Sequence, residues 1–87
     1  MRFEILRIDK FLNAVNITKR RTIAQDMLQS GVVFINSIKV KASKNVQVGD
    51  IIELVYLSKT QRFEVLDIPT MKNIPKSQKD LYVKELV

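Results

Sequence analysis

The sequence predicts an α+β domain: two packed N-terminal helices, then a small antiparallel sheet of four to five strands, with a short C-terminal helix as an option. Three observations lead there. Two stretches in the first third repeat apolar residues at helical spacing. They are joined by only Asn16-Ile17-Thr18, so the helices must pack against each other at a sharp angle. From Val32 onward, short β-branched runs alternate with turn residues.

In chain order, residues 1–6 are a lead-in whose alternation is too brief to define a strand. Arg7 to Asn16 reads as the first helix, with Ile8, Phe11, Leu12 and Val15 on one face. Asp9 in its first turn complements the helix dipole, a structural rather than a catalytic role. Lys10 and Asn13 lie off the apolar stripe, toward solvent or a partner. The second helix begins at Thr18, a residue suited to the N-cap, and carries Ile23, Ala24, Met27 and Leu28 on its apolar face. Gly31 supplies the left-handed residue that commonly ends a helix.

Lys19, Arg20 and Arg21 stand at the start of this second helix, where the dipole disfavours cations by about 0.3–1 kcal/mol each. Two readings are open: a solvated basic turn, or a phosphate site at which free N–H groups, dipole and side chains converge on one anion.

Val32–Ile35 and Ile38–Val40 flank Asn36-Ser37, a two-residue hairpin turn in which Ser stands where Gly is usual. Lys39 and Lys41, two apart, project from the same side of an extended strand, and Lys44 adds a cation from the following loop. After a turn at Val48-Gly49-Asp50, strands are predicted at Ile51–Leu57, buried on both faces near the sheet centre, and at Arg62–Ile68. Tyr56 and Phe63 are read as core aromatics, with base stacking as the alternative. Pro69 ends the last strand, and a connector runs from Thr70 to Lys76. Ser77-Gln78-Lys79-Asp80 resembles a capping box for a short helix to about Glu85, with an extended Leu81-Tyr82-Val83 as the alternative. The resulting division is a domain over residues 1–68, its core motif at 7–54, and an extension over 69–87.

Composition narrows the function. Eighty-seven residues, 46% of them hydrophobic, suffice for one folded domain. With no cysteine and no histidine, the usual zinc ligands and thiol chemistry are missing. The nine carboxylates show no paired spacing, and both glycines fall at turns, so no phosphate-gripping glycine loop exists. A non-enzymatic protein without a cofactor is expected. No apolar run nears the roughly 18 residues of a membrane span, and the start is too charged for a secretory signal, so a soluble cytoplasmic protein is expected. Charge carries the most information. Between Arg7 and Lys44 there are eight cations and two acids, Asp9 and Asp26, so the whole net charge of +6 resides there. That asymmetry is the footprint of a polyanion-binding surface.

Four blocks in order, Arg7-Ile8-Asp9-Lys10-Phe11-Leu12, Lys19-Arg20-Arg21-Thr22-Ile23-Ala24, Gly31-Val32-Val33-Phe34-Ile35-Asn36 and Val46-Gln47-Val48-Gly49-Asp50-Ile51-Ile52, give the chain a resemblance to a known family. It resembles the RNA-binding domain first known from ribosomal small-subunit protein four. The resemblance implies a bent sheet behind the two helices, and RNA phosphates docked at the second helix's start and the nearby hairpin. It implies a phosphate site of Lys19, Arg20, Arg21 and Thr22, flanked by Arg7, Lys10, Lys39 and Lys41; the loop cation Lys44 joins the candidate surface from the charge pattern. Among stand-alone members the chain is most similar to the short ribosome-quality-control type, then to the ribosome-associated heat-shock type. This implies ribosomal RNA of the large subunit as partner, peptidyl-tRNA as a second, and a tailing factor acting on the stalled chain as a third. No membrane and no sequence-specific DNA partner is implied. Three rivals remain: a detached targeting fragment related to pseudouridine synthases, a basic module for another polyanion, and a DNA-reading helix-turn-helix, against which the absence of a predicted third helix counts.

Overall fold

A computed structural model describes residues 6–70 and 73–86. The chain runs β1 (Leu6–Arg7), α1 (Ile8–Ala14), α2 (Arg21–Gln29), β2 (Val33–Ile35), β3 (Ile38–Lys39), β4 (Asn45–Val46), β5 (Ile51–Val55) and β6 (Thr60–Val65). A 3-10 helix (Lys76–Leu81) and β7 (Val83–Leu86) complete it. The architecture is the predicted α+β class. Five antiparallel strands form one sheet in the order β3-β2-β5-β6-β7, and β1 pairs with β4 as a separate two-stranded ladder. The lead-in strand considered before residue 6 lies outside the described residues.

Both helices end in the same device. Asn16, at φ 63°, follows α1; its N–H donates to the Asn13 carbonyl and the Ile17 N–H to that of Leu12. Gly31, at φ 77°, follows α2, with its N–H on Leu28 and the Val32 N–H on Met27. These paired bonds are Schellman caps, which need a left-handed residue at that position. The first cap also anchors the C-terminal connector. Asn16 Nδ2 donates to the Ile74 carbonyl (2.9 Å), and the Ile74 N–H satisfies the Ala14 carbonyl at the helix end (3.0 Å).

The core lies between the helices and one face of the sheet. α1 contributes Ile8, Phe11, Leu12, Ala14 and Val15, while α2 contributes only Ala24 and Leu28. Ile23, expected on the apolar face of α2, is exposed, and Met27 is half-buried, because α2 is covered on a narrow stripe. From the sheet come Val33, Ile35, Ile52, Leu54, Phe63, Val65 and Val83. The Asn36-Ser37 turn forms as predicted, both residues at positive φ (52° and 69°). The Asn36 side chain then reaches across to the next turn, donating to Asp50 (3.1 Å) and accepting the Ile51 N–H (3.0 Å).

Several boundaries and burial expectations are corrected. α1 begins at Ile8 and not Arg7, because Arg7 is already paired with Asn45 in the β1–β4 ladder. Strand β5 is central, yet only Ile52 and Leu54 are buried; Glu53 lies on the other face and accepts from Arg62 (3.3 Å). It ends at Val55 because Tyr56 and Lys59 close a turn, the Tyr56 N–H on the Lys59 carbonyl (2.7 Å). β6 accordingly spans Thr60–Val65 and not Arg62–Ile68. Phe63 is core, whereas Tyr56 stands at the surface, 37% exposed beside Lys59. The predicted terminal helix is a 3-10 segment ending at Leu81, with no side chain capping it. Val83–Leu86 is extended and forms the fifth strand on β6.

Candidate nucleic-acid interface

The site is built around a buried carboxylate. Asp9 is the second residue of α1, and its side chain has no solvent exposure. Its Oδ1 accepts the Lys10 N–H at 2.9 Å. Its Oδ2 accepts from Arg7 Nη2 (3.2 Å), Arg21 Nη2 (3.3 Å) and Gln25 Nε2 (3.4 Å). Arg21 and Gln25 are one helical turn apart, so they share a face of α2 and meet one oxygen. Burial by itself would raise the Asp9 pKa. The hydrogen bonds from Gln25, the Lys10 N–H and Arg21, with the attraction of Arg7, outweigh it and hold the carboxyl below its ordinary 3.8. Asp9 therefore does more than complement the α1 dipole: it fixes two guanidinium groups that are themselves 44% and 45% exposed.

The rest of the basic half gathers round this point. Arg7 Nε also donates to the Ala42 carbonyl (3.4 Å). The Lys44 carbonyl accepts the Ile8 N–H (2.8 Å), which brings the β3–β4 loop against the start of α1. Asn13 reaches the carbonyls of Thr18 (3.5 Å) and Lys19 (3.4 Å), tying α1 to the connection before α2. Lys10 is one turn from Asn13 and exposed.

The start of α2 differs from expectation. Thr18 is not its N-cap: the Thr18 hydroxyl is turned inward and donates to the Arg20 carbonyl (3.2 Å), and the side chain is buried. Arg20 occupies the cap position in extended conformation, with no side-chain cap bond. Lys19 thus precedes the helix, Arg20 flanks it, and Arg21 and Thr22 open it, all four exposed. Without a capping acceptor, the first N–H groups of α2 remain beside these cations.

Lys39 and Lys41 lie apart from that cluster, beside the C-terminal half of α2. They line a groove of about 630 Å³ together with Gln25, Gln29 and Ala42. Gln25 and Ala42 also bind the Asp9–Arg7 cluster, so cluster and groove are continuous. Among the described residues, Lys10, Lys19, Arg20, Lys39, Lys41 and Lys44 have no carboxylate partner, whereas Arg62 is paired with Glu53. Sequence reasoning passed over Asp9, Gln25 and Gln29 as parts of this surface. The available signal was Asp9 itself, one of two acids among eight cations. No group of His, Cys, Asp or Glu among the described residues is arranged to hold a metal ion, and no described helix is long and apolar enough to cross a membrane.

Two helices pack against an antiparallel sheet, and a buried aspartate at the α1–α2 junction clasps two arginines within an exposed basic surface. Residues 6–52 match the S4 domain, and the chain belongs to that family, the RNA-binding family that its sequence resembles. It is 45% identical over 78 residues, 90% of this chain and 93% of the relative, to the RQC P-site tRNA stabilizing factor of Helicobacter pylori (strain J99). It is 43% identical over 49 residues to the heat shock protein 15 homolog of Haemophilus influenzae, covering 56% of this chain and 37% of that one. The trimeric structure of Vibrio cholerae heat shock protein 15 superposes with a TM-score of 0.85 at 26% identity, covering 95% of this chain and 83% of that one.

Proposed function

We propose that this protein is a non-catalytic, cytoplasmic RNA-binding factor that docks on structured ribosomal RNA of the large subunit and assists subunits obstructed by a stalled nascent chain. The observation that carries the reading is the pair of guanidinium groups, Arg7 and Arg21, fixed on the buried Asp9 amid cations that have no carboxylate partner among the described residues. Fixed guanidiniums bind phosphate with two parallel hydrogen bonds, whereas lysines act as mobile point charges. Arg20, Arg21 and Thr22 with Lys19 would take phosphates at the α2 start. Arg7, Lys10 and Lys44 would flank them, and Lys39 and Lys41 would continue the track. Folded RNA presents phosphates and 2′-hydroxyls, not readable base edges, so recognition by charge and shape is expected.

The relative's name, RQC P-site tRNA stabilizing factor, supports the finer reading that tRNA, as peptidyl-tRNA, is a second partner. A tailing factor is the third partner of this reading. The test is sedimentation of lysate containing wild type or the Lys19→Ala, Arg20→Ala, Arg21→Ala variant, its fold checked by circular dichroism. Wild type is expected to travel with the large subunit and the variant to stay at the top. If wild type stays at the top in low salt, the ribosomal partner is wrong.

A further inference from the structure

The groove beside α2 holds features that phosphate contacts alone leave unused. Its floor is apolar, from Leu28, Val40 and Ala42. One wall carries the amides of Gln25 and Gln29, a helical turn apart, and the other carries Lys39 and Lys41; no acidic residue lines it. We propose that this groove seats one unpaired nucleotide of the bound RNA, an adenosine in preference. The base would lie on the apolar floor, its edge against the glutamine amides and its phosphates on the lysines. The inference rests on the RNA-binding reading and specifies the kind of RNA element that reading requires.

Three properties commit the groove to that occupant. Its volume of about 630 Å³ falls within the roughly 300–1,000 Å³ of sites that enclose small organic groups. Its charge suits an anion, and its floor suits a flat apolar ring. The amides supply the third property. Among the described residues Gln29 makes no side-chain hydrogen bond, and Gln25 uses only Nε2, toward Asp9. A carboxamide offers a donor and an acceptor in one plane, which matches the N6–H and N7 of adenine. A paired base in an A-form helix cannot reach such a recess, whereas a bulged one is splayed out and accessible. At one end the Lys39 side chain lies across Gly31, its Nζ 3.3 Å from where a Cβ would stand, so the glycine lets the lysine lie close to the end of α2.

Fluorescence anisotropy with the purified full chain tests the proposal, using two RNA hairpins that differ only by one bulged adenosine. The bulged hairpin is expected to bind at least about tenfold more tightly, the lower end of what one bidentate amide–adenine pair supplies. That preference should shrink in Gln29→Ala, and an abasic bulge should bind no better than the regular hairpin. Equal affinity of wild type for both hairpins overturns the nucleotide pocket and leaves RNA binding intact. A preference that survives both Gln29→Ala and the abasic bulge also overturns it, because the kinked backbone is then what is recognised. Failure to bind either hairpin overturns the RNA-binding reading and the pocket with it.

Discussion

Asp9 determines how the site behaves. Its carboxylate has no exposure and meets four donors, two of them charged. Hydrogen bonds to charged groups contribute about 1.5–3 kcal/mol each, and an orphaned buried partner costs more than a bond never made. Asp9→Asn keeps the shape but loses the charge, and is expected to cost about 2 kcal/mol in urea unfolding. The pH dependence follows from the lowered pKa. A carboxyl depressed in the folded state stabilises the protein above its unfolded value of about 3.9. That contribution is lost as pH falls through the folded value. Unfolding midpoints compared between neutral pH and about pH 3 should therefore converge for wild type and Asp9→Asn on the acid side. Arg21 was legible in sequence within the block Lys19-Arg20-Arg21, and Arg7 as a flanking cation that the family resemblance implies, but the hub was not. Periodicity places an acid in a first turn and says nothing of what a second helix brings against it.

At the level of elements, the chain specifies its stops better than its starts. Gly31 announces the end of α2, and the cap forms there as expected. Gly31→Ala forces a side chain into left-handed backbone, and should cost about 1 kcal/mol. In a domain of this size that lowers the melting temperature by about 4–8 °C, readable by circular dichroism. The hairpin offers the opposite change. Ser37 sits at φ 69°, so Ser37→Gly should raise stability by about 1 kcal/mol in the same assay. The start of α2 is not legible in the sequence because Thr18 has the right chemistry for a cap; its hydroxyl instead donates to the Arg20 carbonyl two residues on. The C-terminal segment stays open in the sequence, between a short helix and an extended Leu81-Tyr82-Val83, for a related reason. Ser77 to Asp80 carries a helical signal, and only the free edge of β6 decides that Val83–Leu86 will be extended.

Across the whole molecule, charge separates into two regimes. In the C-terminal half three cations lie on neighbours: Arg62 pairs with Glu53, Lys59 lies over Tyr56 at 6.0 Å, and Lys79 over Phe63 at 5.5 Å. The segment from Arg7 to Lys44 holds the excess of +6, and within it the acid that is buried holds arginines in place. This division was legible before any fold was known, because it depends on linear position. The continuity of cluster and groove through Gln25 and Ala42 was not, since it arises from packing α2 against the β3–β4 loop. The most direct test of this surface as an RNA-phosphate track is the affinity for purified large ribosomal subunits as a function of salt. With about five phosphates engaged, log affinity should fall against log salt with a slope of roughly −3 to −5. The folded Lys19→Ala, Arg20→Ala, Arg21→Ala variant should lose about two to three from its magnitude. An unchanged slope in that variant would mean that the anion is bound elsewhere, and that the face organised by Asp9 is not the one that meets RNA.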